Sequence, residues 1–211
     1  MAKKAVVLMS GGLDSALAAA YLKKQGFSVY GVFVNRGQTN FASELKAVQK
    51  IAAYLTVPVY NSTFSLPDLR SLSFEERKTV GIPARNLILS SLALPYLYVL
   101  GSSLLVLGNL FSDHMPDCSL AFRKKFSVAS SQALDIAVEV VAPFADWEGY
   151  DKSGEIRWAF EKGFSELFPI TWTCWGDGEF HCGRCGACKG RKAGFVGARV
   201  TDPTVYEGVS V

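Results

Sequence analysis

Apolar runs alternate with helically spaced stretches along the first 165 residues of this chain. Ala5-Val6-Val7-Leu8-Met9 is a continuous apolar run, the pattern of a strand buried on both faces. It predicts a strand at about 4–9, followed by a helix at 14–25 that Gly26 terminates in the C′ position. The next strand, 28–34, is again almost wholly apolar; a helix over 42–54 and a short strand, Val57-Pro58-Val59-Tyr60, follow. Residues 61–82 are polar, contain proline and show no period, which predicts a mobile segment or lid. Beyond them the pattern predicts a helix over 84–100, a strand over 103–108, a helix over 119–132 and a strand over 138–143. A helix over 152–162 follows, with Asp151 as N-cap. A short helix and an irregular end fill 190–211. Strands alternating with helices predict an α/β fold, a Rossmann-like parallel sheet with helices on both faces. In such sheets ligands bind at the carboxyl ends of the strands. The loops after the first, second and fourth strands should therefore meet in one crevice.

Composition changes this picture little. At 211 residues and 49% apolar content, the chain can bury a core without disulfide staples. A formal charge of +3 is too mild to argue for direct nucleic-acid binding. Asn86 to Ser112 carries no charge and is long enough to span a bilayer, but Pro95, Gly101 and two serine pairs break it into a buried helix and a strand, so no membrane association is expected. Met-Ala-Lys-Lys runs straight into the first strand and leaves no room for a signal peptide, so the expected location is cytoplasmic. Four of the five cysteines lie within fifteen residues, which divides the chain into a nucleotide-binding domain, 1–165, and a C-terminal four-cysteine module with its tail, 166–211.

The chemistry begins where the first strand ends. Ser10-Gly11-Gly12-Leu13-Asp14-Ser15 sits between a strand and a helix start. Paired glycines let the backbone approach a ligand, and the amides of a helix N-terminus favour an anion. With the hydroxyls of Ser10 and Ser15, residues Leu8 to Ser15 read as a cradle for phosphate or pyrophosphate. A Walker loop requires a lysine that is missing between Lys4 and Lys23. Ser-Gly-Gly-x-Asp-Ser after a strand instead resembles the loop of ATP pyrophosphatases, which split ATP to AMP and pyrophosphate.

Cys174-x7-Cys182-x2-Cys185-x2-Cys188 offers four thiolates, the ligand set of structural zinc; a ferredoxin-like iron–sulfur run is the alternative. His181 reads as an exposed loop residue, and Cys118 as a small buried hydrophobe. Arg85 and Asn86 open the long apolar helix, where an arginine suits phosphate or carboxylate recognition. Lys152 could reach a phosphate from its helix start. Trp172 and Trp175 could stack on a heterocycle, although core packing is the expectation from aromatic statistics. Lys189, Arg191, Lys192 and Arg199 read as a solvated basic face.

In order and spacing these pieces resemble the 7-cyano-7-deazaguanine synthase family of queuosine and archaeosine biosynthesis. The match rests on the Ser10–Ser15 loop, Gly37-Gln38, Pro83-Ala-Arg-Asn86, Gly108-Asn109, Pro116-Asp117-Cys118, Lys152-x-x-Glu155-Ile156, Thr171-Trp-Thr-Cys174, the cysteine knuckles and Asp202-Pro203. The resemblance implies conversion of 7-carboxy-7-deazaguanine and ammonia to the 7-cyano base, through an adenylated carboxylate and then an adenylated amide. ATP is the co-substrate, with Mg2+ beside it and a structural Zn2+. Ser10, Asp14, Ser15, Arg85 and Lys152 would carry the catalysis. Gln38, Arg85, Asn86, Asp117 and Trp172 would meet the substrate. A homodimer is also implied. The chain departs from the family where the acceptor should sit. Arg36 replaces a tyrosine, Asn40 a histidine and Ser119 an arginine, and Leu110–Met115 lacks the usual acidic pair. A relative that adenylates another carboxylate, and a nucleotide-binding module without turnover, are the rival readings.

Overall fold

The computed structural model describes residues 2–64 and 82–208. Five strands, β1 (Lys4–Leu8), β2 (Ser28–Asn35), β3 (Val59–Thr63), β4 (Leu104–Val106) and β5 (Glu139–Val141), form one sheet in the order β3-β2-β1-β4-β5. Every pairing is parallel. Six helices connect or flank them: α1 (Leu13–Lys24), α2 (Phe41–Leu55), α3 (Arg85–Leu100), α4 (Leu120–Leu134), α5 (Lys152–Glu161) and α6 (Gly186–Ala198).

The side-chain alternation of β1 explains the two layers. Ala5 and Val7 face one side and pack with α1, α2, α5 and α6 through Leu17, Ile51, Ile156 and Phe195. Val6 faces the other side and packs with α3 and α4 through Leu97 and Phe126. Phe168, Phe195 and Ala198, from beyond residue 165, belong to the first of these cores. Among the described residues no helix is long and apolar enough to cross a membrane.

Sequence and structure differ at β3. Residues 61–63, expected to lack regular structure, continue the strand in register, with Phe33 opposite Asn61 and Asn35 opposite Thr63. The strand lies at the sheet edge, so backbone pairing holds it while Asn61 and Thr63 face solvent. The rest of the expected lid, residues 65–81, lies outside the described residues.

The strand order places the site. Chain progress runs outward from β1 to β3, then returns to add β4 and β5 on the other side. The reversal falls between β1 and β4, the position at which parallel α/β sheets open a crevice for ligands.

Candidate active site

Beyond β1 the chain turns through Ser10, Gly11 and Gly12 into α1. Gly11 has φ 79°, and a Cβ there would lie 2.6 Å from the carbonyl oxygen of Glu44. A side chain is excluded both by space and by backbone. Across the crevice, a Cβ on Gly108 would lie 2.7 Å from the amide nitrogen of Ser15, so the exit of β4 rests directly on the first turn of α1. The loop is tied internally: Ser15 Oγ accepts from the Ser10 amide at 3.2 Å, and Ser10 Oγ accepts from the Gly12 amide at 3.3 Å. Gly12 caps α1 with no side-chain hydrogen bond, which leaves first-turn amides for an external acceptor. Met9 is buried, its sulfur over Gly31, while Leu8 is half-buried.

Lys152 and Asp14 meet at this loop. Lys152 Nζ contacts Asp14 Oδ1 and lies 3.1 Å from Glu155 Oε1. Lys152 and Glu155 share one face of α5, three residues apart. Asp151 caps that helix as expected, accepting from the amides of Ser153 and Gly154 at 2.9 Å each. Burial, the largest single effect, raises the carboxyl pKa of Asp14, but the charge of Lys152, hydrogen bonding from Glu155 and Lys152, and Arg191 together outweigh it, and the net direction is down. Burial likewise opposes the charge on Lys152, yet the two carboxyl groups hold its pKa above the usual lysine range. Glu155 goes the other way: burial, reinforced by the charge of Asp14, pushes its pKa well up.

The remaining expected substrate contacts stand around the crevice in different states. Gln38 is turned inward, donating to Glu44 Oε2 at 2.7 Å and accepting from the Arg36 amide at 2.9 Å. Asp117 Oδ2 accepts from the Asn86 amide at 2.7 Å and thereby anchors the start of α3. Asn86 Nδ2 and Asn109 Nδ2 both point at the Cys118 sulfur, at 3.1 and 3.3 Å. Cys118 is buried as expected, and burial pushes its thiol up to about 11. Arg85 is exposed and lines a small apolar hollow with Arg36, Ile88 and Leu89. Trp172 is half-buried; its amide donates to the Gly11 carbonyl at 2.8 Å and its indole to Gly176 at 3.1 Å. Trp175, expected in the core, is 56% exposed, although its ring covers Gly186.

The four cysteine sulfurs converge. All lie within 4.8 Å of one another, a donor set able to hold a metal ion. Three residues expected at the surface support them from inside. His181 is buried, takes the Thr173 amide on Nε2 at 3.0 Å, and lies against Trp172; burial and nearby Arg191 push its pKa down to about 4. It is no loop residue because its backbone pairs with Val205 and Glu207. Arg191 is buried and donates to Thr171, Thr173, Thr204 and the Phe168 carbonyl, with Asp202 3.6 Å away. Lys192 lies over the Tyr206 ring and donates to the Gly183 carbonyl at 3.1 Å. The module is also tied to the loop after β2: Asn40 donates to the Cys174 carbonyl at 2.8 Å, and Asp177 accepts from Ser43. Glu44 and Arg191 carry no sequence signal for these roles. The Lys152-x-x-Glu155 spacing is one for Glu155.

Comparison with known proteins gives the family. A family model described as "Queuosine biosynthesis protein QueC" matches residues 4–199. The chain belongs to that family. Among curated QueC-type relatives, the 7-cyano-7-deazaguanine synthase of Caldicellulosiruptor bescii is 31% identical over 225 residues, 97% of this chain and 97% of that protein. The synthase of Xanthomonas euvesicatoria pv. vesicatoria is 36% identical over 225 residues, covering 97% and 98%. Among solved structures, a 4-thiouridine synthetase in complex with RNA and bound ATP superposes with a TM-score of 0.50 at 20% identity, over 78% of this chain and 42% of that one. At that identity the likeness speaks for the fold alone. Membership in the QueC family makes this chain an enzyme of the synthase, or ligase, type.

Proposed function

We propose that this chain converts 7-carboxy-7-deazaguanine and ammonia to 7-cyano-7-deazaguanine at the expense of ATP. The observation that carries the reading is the Ser10–Ser15 turn at the β1/β4 switch point, with side-chain-free amides and Lys152 beside it, in a chain of this family. The chemistry needs such a site. A carboxylate oxygen is a poor leaving group; adenylation by ATP, with release of pyrophosphate, makes it a good one. Ammonia then displaces AMP to give the amide. A second ATP activates the amide oxygen, and loss of AMP and a proton leaves the nitrile. The protein's task is to orient the reactants and to meet the charge that develops on the phosphates.

In this reading the amides of residues 11–15 and the hydroxyls of Ser10 and Ser15 hold the pyrophosphate. Lys152 neutralises it, with Mg2+ arriving alongside the nucleotide. Arg85 faces the phosphates or the substrate carboxylate. Asn86 and Trp172 border the acceptor; Gln38 reaches it only by giving up its hydrogen bond to Glu44, whereas Asp117 can meet it with Oδ1 while Oδ2 stays on the Asn86 amide. The commitment of Gln38, beside the departure at Arg36, favours the second reading, a different carboxylate as acceptor.

Cys174, Cys182, Cys185 and Cys188 would hold Zn2+, which when bound cross-links the module. Four sulfurs at about 2.3 Å from one ion stand about 3.8 Å apart, in keeping with their mutual approach, whereas a four-iron cluster spreads its cysteines around a larger core.

The purified chain with MgATP, 7-carboxy-7-deazaguanine and ammonium should release AMP and form the cyano base. AMP release only with another carboxylate would select the second reading, and no AMP with any acceptor would reduce the chain to a binding module.

A further inference from the structure

Among the described residues, Glu155 is the one carboxyl group that is wholly buried with neither oxygen partnered in hydrogen-bonding geometry. Oε1 nevertheless lies 3.1 Å from the ammonium of Lys152, which also contacts Asp14. Space for this arrangement is built into α6. A Cβ on Gly194 would lie 2.3 Å from Lys152 Cγ, and one on Gly197 would lie 2.3 Å from Ser153 Oγ. Two glycines in a helix interior weaken the helix; here Gly194 makes room for the lysine stem and Gly197 for the neighbouring Ser153.

We propose that Glu155 is a positioning residue that keeps Lys152 movable, resting on Asp14 before nucleotide binds and released to a bound pyrophosphate, by holding a proton rather than a charge beneath it. This role rests on the nucleotide reading of the Ser10–Ser15 loop. The charge balance is simple. One ammonium and two ionised carboxyl groups would leave a net negative site at the mouth of an anion cradle, and would lock the lysine twice. With Glu155 protonated the trio is neutral. When Lys152 turns to the phosphates, Asp14 would lose its counter-ion, and the carboxyl O–H of Glu155 is the neighbouring donor that can hold it. The groups facing the pair are Asp14 from α1 and Lys152 on α5 itself, while Arg191 acts on Asp14 from α6. Burial and the charge of Asp14 both favour the protonated form of Glu155.

The test uses the full chain with its metal. Carbon-13 NMR of the nucleotide-free protein should show the Glu155 carboxyl protonated at neutral pH; an ionised Glu155 overturns the proposal whatever the protein does with ATP. Glu155→Leu removes the donor and fills the space. It should melt at or above the wild-type temperature yet bind MgATP about tenfold or more weakly by calorimetry. A parallel loss of stability and affinity, or unchanged affinity, overturns the proposal. Glu155→Gln keeps a donor that cannot titrate. It should recover most of that affinity and flatten the fall in affinity expected of the wild type at alkaline pH. A Gln variant as weak as Leu, or with the wild-type pH slope, counts against it. A wild-type chain with protonated Glu155 that binds no ATP fails the nucleotide reading, and this role with it. An ionised Glu155 in a chain that does bind ATP fails this role alone.

Discussion

Single atoms decide much of this site. At Gly108 a methyl group would collide with the backbone of Ser15, and neither partner is a flexible side chain. Gly108→Ala should therefore cost about 1–3 kcal/mol, read as a lower melting temperature, and should depress ATP-dependent AMP release further than the lost stability explains. Ser10→Ala and Asp14→Ala touch the loop without overpacking it. Each should abolish AMP release while leaving the melting temperature close to wild type, and wild-type turnover in either variant would remove the loop from the mechanism. Glu155 also sets a pH dependence of stability. Its folded pKa is raised, so above the ordinary carboxyl range the folded protein keeps a proton that the unfolded chain releases. Stability should then decline as pH rises through that interval, and Glu155→Leu should show a smaller decline in thermal melts from about pH 5 to about pH 8.

Among the elements, legibility follows burial. β1 and β2 are covered on both faces, so they write continuous apolar runs, and the parallel sheet can be read from them. β3 sits at an edge with polar side chains outward, so Asn61-Ser62-Thr63 looks like loop until its backbone pairing is seen. The Ser10–Ser15 loop is legible because glycine and short hydroxyl residues are a demand of backbone geometry. Arg191 is not: its partners Thr171, Thr173, Thr204 and Asp202 are dispersed in sequence, and beside Lys189 and Lys192 it reads as one more surface cation. Glu155 is half-legible, since a carboxylate three residues after a lysine suggests a helical ion pair but says nothing of its burial. The hidden role of Arg191 has a measurable price. Arg191→Leu should destabilise by about 3 kcal/mol or more, because it strips the cationic partner from Asp202, one hydrogen bond from Thr204 and three from Phe168, Thr171 and Thr173 around Trp172. Cys185→Ser should lose bound metal and melt lower, checked by metal analysis and calorimetry.

At the scale of the whole molecule, the cysteine module and the sheet share one core, with Phe168 and Phe195 packed among residues of β1 and α1. Removing the metal with a chelator should therefore be felt at a distance. Amide exchange at residues 11–15 should accelerate before that of β1 and β2, because the Trp172 amide, which holds the Gly11 carbonyl, hangs from the extended segment leading to Cys174. That single brace also has a consequence in time. A ribosome makes the cradle well before the brace, which follows only after the last strand of the sheet. A half-made chain thus carries the Ser10–Ser15 turn with its own hydroxyl ties but without the Trp172 brace, and the loop is held on that side only once the cysteine-bearing segment has folded back onto it.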